Sequence, residues 1–240
     1  NKGLKDSHEI EVFLHPRRSD FHDPFLMPDM EIATNRIIKA IKDNEKVAIY
    51  GDYDVDGITS STVLKRFLKD RGLETDVYIP NRLNEGYGLN EEAINEISEK
   101  NYTLIVTVHC GITGNKEIEL ANSLGIETVV TDHHEPAEEL PKALAVVDCK
   151  RKDNKYPFNG LAGVGVAFKL IQAISIKLGI KEEEYLKYLD LVCVGTISDI
   201  VPLVDENRTI SKLGLRLVKQ TKNIGLKVLL DSIGYQKIDS

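Results

Sequence analysis

The run Leu104-Ile105-Val106-Thr107-Val108 constrains the fold more than any other stretch. It is apolar or β-branched throughout and offers no polar face to water, so a strand built from it has to be covered on both sides. Lys46 to Tyr50, Thr75 to Ile79, Ile126 to Thr131 and Ala145-Val146-Val147 also read as strands. Segments of helical period lie between or before them. Asp29 is placed to cap a helix running to about Lys42, with Ile32, Ile37, Ile38 and Ile41 on one side. Ile58 to Arg71 turns Val63, Leu64, Phe67 and Leu68 inward and stops at Gly72. Glu91 to Lys100 and Asn115 to Leu124 complete the set. Strands alternating with helices predict an α/β fold with a largely parallel β-sheet and helices on both faces. After Gly160 the pattern turns all-helical: 164–178, 182–194, 207–219 and 224–233. The expected organisation is an N-terminal arm (1–28), a catalytic domain (29–200) and a helical extension (201–240) leading into a C-terminal region beyond this chain. The chain begins without Met and reads as a piece of a longer one.

A net charge of −7 over 240 residues gives no global basic field, so any nucleic-acid contact has to come from a local patch. No apolar run approaches the roughly 18 residues of a membrane span, and no signal peptide is read. Cys110, Cys149 and Cys193 are far apart and lack C-x-x-C spacing, which suits buried thiols in a reducing cytoplasm.

The strand at 46–50 runs into Gly51-Asp52-Tyr53-Asp54-Val55-Asp56-Gly57. Alternate residues of an extended segment point the same way, so the three carboxylates are expected to converge. Their mutual repulsion calls for a cation. An EF-hand loop is excluded, because its twelfth position holds Val63 rather than a bidentate Glu. An exposed acidic turn is the bland alternative. Two more strands end in polar groups, His109-Cys110-Gly111 and Asp132-His133-His134. In open α/β sheets such ends lie together and bind ligands. Mixed His and Asp donors suit Mn²⁺, Fe²⁺ or Zn²⁺, of which Mn²⁺ is the working expectation, while all-oxygen sites suit Mg²⁺ or Ca²⁺. Asp199 stands in the apolar stretch Thr196-Ile197-Ser198-Asp199-Ile200-Val201-Pro202 and is either a further ligand or a helix cap.

Gly163 and Gly165 open a helix whose N–H groups could meet a phosphate, and Lys169 follows among Lys150, Arg151, Lys152 and Lys155. A solvated basic face is the competing reading. Arg82, in the loop Asn81-Arg82-Leu83-Asn84-Glu85-Gly86-Tyr87-Gly88, is a second candidate anion clamp.

Together these segments resemble the DHH phosphoesterase family, and within it the single-strand-specific DNA exonucleases. Gly51 to Ser60 looks like the family's first motif, Asp132-His133-His134 like the motif that names it, and Leu161 to Phe168 and Gly195 to Leu203 like its later ones. The resemblance runs from about His22 to Arg208. It implies a two-metal phosphodiesterase that degrades single-stranded DNA from a 5′ phosphate in repair and recombination. Asp54 would hold one ion, and Asp56, His133 and Asp199 the other. Asp52 would support the first ion or a bound water, His134 would contact the scissile phosphate and Arg82 would help seat the terminal phosphate. The cofactor expected is Mn²⁺, with Mg²⁺ as a substitute, in a cytoplasmic monomer completed by further domains. At His109 the family carries the Asp that bridges the ions. A neutral imidazole offers one lone pair where a carboxylate offers two oxygens. His109 is therefore expected to ligate one ion at most and to weaken or abolish activity. The alternatives are a family phosphodiesterase for short oligonucleotides or cyclic dinucleotides, and a non-catalytic nucleic-acid-binding scaffold.

Overall fold

The computed structural model describes residues 6–83 and 85–234, so the two ends of the chain and Asn84 of the predicted loop lie outside the described residues. Five strands form one sheet in the order β2-β1-β3-β4-β5, all parallel: β1 (Val47–Tyr50), β2 (Thr75–Tyr78), β3 (Leu104–Val108), β4 (Glu127–Asp132) and β5 (Ala145–Asp148). The expected sheet is thus present. Every residue of β3 is buried, as its composition required. Register places Tyr50 opposite both Tyr78 and Thr107, so β1, β2 and β3 end at one level. This strand order reverses direction between β1 and β3, and the crevice beyond that switch point is where such sheets bind ligands.

Alternate strand residues feed two cores. Val47, Ile49, Leu104, Val106, Val108, Val129 and Val147 pack with the helices α2 (Met30–Asp43), α3 (Val55–Lys69), α6 (Gly163–Lys177) and α8 (Leu189–Ser198). Ala48, Tyr50 and Ile105 pack on the other face with α4 (Glu91–Glu99) and α5 (Asn115–Ser123). Phe67 of α3 is wholly buried in the first core, and its truncation to Ala would cost about 3–5 kcal/mol. The short α7 (Glu183–Leu186) precedes α8, where one helix over 182–194 was expected. Tyr188 occupies the N-cap position of α8 without a side-chain capping bond, and its hydroxyl donates to Asp70 Oδ2 at 2.6 Å. The helices α9 (Asp205–Val218) and α10 (Ile224–Ser232) follow, and α9 contributes Ile210 to the first core.

The predicted arm is more structured than its sequence suggested. It holds α1 (Ser7–Leu14) and two 3-10 turns, and Pro24 and Met27 are buried. Asp29 occupies the N-cap position of α2 but does not cap it. It is left-handed (φ 57°), and its Oδ2 accepts from Val146 N at 3.1 Å and Arg151 Nη1 at 2.6 Å. Ile32, expected inward, is 45% exposed.

Candidate metal centre

Past Tyr50 the chain does not stay extended. Gly57 lets it fold back: a Cβ there would lie 2.5 Å from Asp52 O. α3 therefore begins at Val55, three residues earlier than its apolar pattern indicated, with Asp54 as N-cap accepting from Gly57 N at 2.8 Å. The three aspartates consequently do not share one face. Asp52 lies in the loop, Asp54 at the cap and Asp56 in the first helical turn. The convergence expected from alternation is replaced by two groups.

In the first group Asp52, Asp54 and His109 bring one ligand atom each within 4.8 Å of one another; in the second, Asp56, His133 and Asp199 do the same. A third set, His109, His133 and His134, joins them. His109 stands between the first two. It is left-handed (φ 62°), in the region His visits more readily than most residues, and donates its N–H to Thr131 O at 3.0 Å. Its Nε2 lies 3.1 Å from Asp54 Oδ2 and its Nδ1 3.0 Å from Asp56 Oδ2. His133 Nε2 is 3.1 Å from His109 Nδ1, and His133 Nδ1 is 3.8 Å from Asp199 Oδ2.

Asp56 also fixes α6. Its two oxygens accept from Gly163 N and Val164 N, each at 2.7 Å. A Cβ on Gly163 would meet His109 Nδ1 at 2.7 Å, so only glycine permits this approach. The amides expected to cradle a phosphate are therefore occupied by a carboxylate, which corrects the phosphate role read for Gly163. Gly165 is buried, and a Cβ there would lie 3.2 Å from Leu161. Lys169 is corrected too. It is wholly buried, with Nζ 2.9 Å from Glu206 Oε1 and 2.6 Å from His22 O. Its place on the inward side of a helix buried almost all round decides this. Arg151, read with the same basic cluster, pairs with Asp29 and Asp153. Arg82 is exposed, with its guanidinium 5.4 Å from the centre of the Tyr53 ring and so above the aspartate loop.

Electrostatics separate the groups. Burial pushes Asp199 up to about 6 and raises Asp52, so each is costly to keep ionised without a cation. Asp52 Oδ1 is buried with no hydrogen-bond partner among the described residues. Asp54 goes the other way, to about 2, through its bond to His109. Burial opposes charging of His109, but its bonds to Asp54 and Asp56 win and carry it up to about 10. Its imidazolium therefore supplies the positive charge the two carboxylates demand. Burial lowers His133 to about 4, leaving a neutral imidazole, the ligand form.

Three residues were given no role from the sequence. Asp132 is buried and accepts from Ile112 N (2.9 Å), His133 N (2.7 Å) and His134 N (3.1 Å), and its Oδ1 lies 2.7 Å from His134 Nδ1. It fixes both histidines, and its bond raises the His134 pKa. Its place at the head of the Asp-His-His triplet was the available signal. Tyr87 holds its hydroxyl 3.3 Å from both ring nitrogens of His134 and 3.4 Å from His109 O. Asp148 ends β5 with Oδ2 buried and unpartnered among the described residues. Long-range pairing of this kind has no periodicity to betray it.

Residues 46–196 match the family model described as DHH family, N-terminal domain. The chain is 46% identical over 233 residues to the single-stranded-DNA-specific exonuclease RecJ of Bacillus subtilis (strain 168), covering 97% of this chain and 29% of that protein. A crystal structure of exonuclease RecJ bound to manganese superposes with a TM-score of 0.81 at 34% identity, covering 88% of this chain and 53% of that one. RecJ of Thermus thermophilus in complex with Mn²⁺ gives 0.80 at 30% identity, covering 95% and 32%. The chain thus spans about a third of the length of the curated relatives it matches, 29% to 41% across six RecJ proteins.

Proposed function

The chain belongs to the DHH family, and on that premise we propose that it is the metal-binding core of a phosphodiesterase that degrades single-stranded DNA from a 5′ phosphate. One observation carries the reading. Two groups of three donors, sharing no residue, meet beyond the β1/β3 switch point, and Asp52 of the first keeps a buried oxygen with no partner among the described residues. That donor set fits divalent cations, with Asp52 and Asp54 on one side and Asp56, His133 and Asp199 on the other. The imidazole of His133 favours Mn²⁺ over Mg²⁺. Bound there, such ions would supply Lewis-acid polarisation of a phosphoryl oxygen. The names of the relatives, single-stranded-DNA-specific exonucleases, support DNA as the substrate, and the resemblance supplies the 5′ polarity. We assign the protein to the cytoplasm, as a monomer that further domains would complete.

The chain's own residues perform the rest. Asp132 favours the protonated form of His134 through its bond to Nδ1, and beside the donor groups that imidazole faces a phosphate oxygen. Tyr87 restrains the same imidazole. Arg82 seats the terminal phosphate by two parallel N–H bonds. Gly163 and Val164 anchor Asp56 so that it cannot swing away. His109 works against the reaction. Its ring spans Asp54 and Asp56 and its charge replaces one that a cation would bring.

That last contact favours a second reading, a DNA-binding module without catalysis. Titration of Mn²⁺ into this chain and its His109→Asp variant, followed by release of nucleotides from 5′-phosphorylated single strands, separates the two. Release by the Asp variant alone upholds the phosphodiesterase. Metal binding by neither protein leaves the binding module. Equal turnover by both removes the argument about His109.

A further inference from the structure

The loop between β2 and α4 carries a carboxylate three residues from the arginine assigned to the terminal phosphate. Glu85 would repel that phosphate, so its presence calls for another role. Among the described residues it forms no salt bridge, and every group bonded to it is a neutral donor. Tyr78 donates its hydroxyl to Oε1, Asn90 Nδ2 donates to the same oxygen at 3.2 Å, and Asn81 N donates to Oε2 at 2.7 Å. These donors come from the end of β2, the N-cap of α4 and the start of the loop itself. Tyr50, stacked on Tyr78 with ring centres 5.1 Å apart, extends the support: its hydroxyl donates to Gly88 O and accepts from Asn90 Nδ2, each at 3.1 Å. A second bond, Glu85 N to Asn81 O at 2.8 Å, closes a tight turn around Arg82. Arg82 projects from that turn over Tyr53, between Asp52 and Asp54, and makes no ion pair among the described residues.

We propose that Glu85 is a positioning residue whose four-point clamp fixes the reach of Arg82, and with it the distance from the metal centre at which a strand's terminal phosphate is held. This rests on the reading of the chain as a 5′-phosphate-dependent nuclease core. A long side chain in a loosely held loop would meet the same phosphate but lose entropy on doing so, whereas a clamped loop presents the guanidinium already in place. The preference for a phosphorylated end is then a property of the loop's rigidity as well as of the arginine's charge.

The test is a binding measurement, which needs no turnover and therefore suits a chain carrying His109. Oligothymidylate labelled at its 3′ end, with either a 5′ phosphate or a 5′ hydroxyl, is titrated with this chain in Mn²⁺ and followed by fluorescence anisotropy. The parent should prefer the phosphate by roughly tenfold, the yield of one charge-assisted bidentate contact. Glu85→Ala should bring the ratio close to one. Arg82→Ala should do the same, and the double variant should be no worse than Arg82→Ala, because Glu85 acts only through it. Tyr78→Phe removes one of the donors, keeps the stacked ring and should lower the ratio by about threefold. A structural effect alone would lower Tm and leave the ratio where it was. A Glu85→Ala variant that retains the parent's ratio overturns the proposal. A parent that binds both ends equally overturns it together with the assignment of Arg82, while the metal centre stands. A parent that binds neither strand removes the DNA reading itself, and this inference with it.

Discussion

The cluster around Lys169 and the cluster around His109 both bury several ionisable side chains, yet they are completed differently. Lys169 and Glu206 have wholly buried side chains, and each partner is satisfied: Nζ meets Glu206 and His22 O, while Glu206 also accepts from His22 N at 2.9 Å and from the Tyr156 hydroxyl. His22 Nε2 turns to Asp205 Oδ1 at 2.8 Å, closing the network onto the start of α9. Around His109 the carboxylates are not all satisfied. Asp52 keeps an oxygen with no partner among the described residues, Asp199 is pushed toward its neutral form, and the charge between Asp54 and Asp56 comes from the imidazole lodged where they face each other. Burial alone therefore says little about purpose. A charge cluster that satisfies itself serves the fold, while one left short of positive charge is open to a ligand.

The largest effect that could break this contrast comes from the satisfied cluster. Glu206→Gln keeps the shape and strands the Lys169 charge, which should cost about 3–5 kcal/mol of unfolding free energy in urea, and adding Lys169→Met should recover most of it. A loss below about 1 kcal/mol would place the pair with ordinary exposed ones and end the distinction. Next comes the unsatisfied cluster. His109→Asp supplies a carboxylate and removes the imidazolium, so Mn²⁺ measured by calorimetry should bind more tightly by at least tenfold, the minimum loss seen when mere supporting groups of a metal site are removed. Affinity unchanged by the substitution would mean that His109 already serves as a ligand.

Asp148 tests the contrast through pH. Burial pushes its carboxyl up to about 7, against help from Lys150 N at 2.6 Å. Between the ordinary carboxylate range and 7, the folded protein holds a proton that the unfolded chain has released. Stability contributed by this group is therefore complete at low pH and falls as pH rises, by about 1.4 kcal/mol per unit until the group ionises. Asp148→Asn removes the dependence. The parent should lose about 1.4 kcal/mol more than the variant between pH 5.5 and 6.5, as read from urea midpoints without metal. Parallel losses would mean that a counter-charge reaches Asp148 in solution.

Much of this architecture is legible in the sequence, and the limits are physical. β3 announces itself because a strand covered on both faces cannot hold a polar residue mid-run without a partner for it. The ligands were findable because strand ends of a parallel sheet share one rim, so Asp52, His109 and His133 had to be neighbours once the strands were placed. What failed was decided by contacts across the chain. Lys169 reads as a surface cation until Glu206, thirty-seven residues on, is brought against it. Gly163 reads as a phosphate cradle until Asp56 takes its amide. Asp29 reads as a cap until Arg151 and Val146 claim its carboxylate. The early start of α3 was hidden because Asp54 caps it, and a capping aspartate looks the same in sequence as a ligand.

The smallest of these effects belongs to Tyr87, which stands at the edge of the unsatisfied cluster and belongs to the clamped loop as well. Its hydroxyl touches His134 at 3.3 Å and His109 O at 3.4 Å, near the long limit for a hydrogen bond. Its ring meets that of His134 edge-on, with centres 5.8 Å apart, and Tyr87→Phe keeps this contact. What the substitution removes is a pair of long, weak contacts, so nucleotide release by the His109→Asp protein should slow only about threefold. If the hydroxyl merely holds the imidazole in place, the loss falls on kcat and leaves KM for the strand alone. A loss confined to KM would instead put Tyr87 among the groups that bind the strand, and would move the boundary between the loop that positions the substrate and the cluster that acts on it.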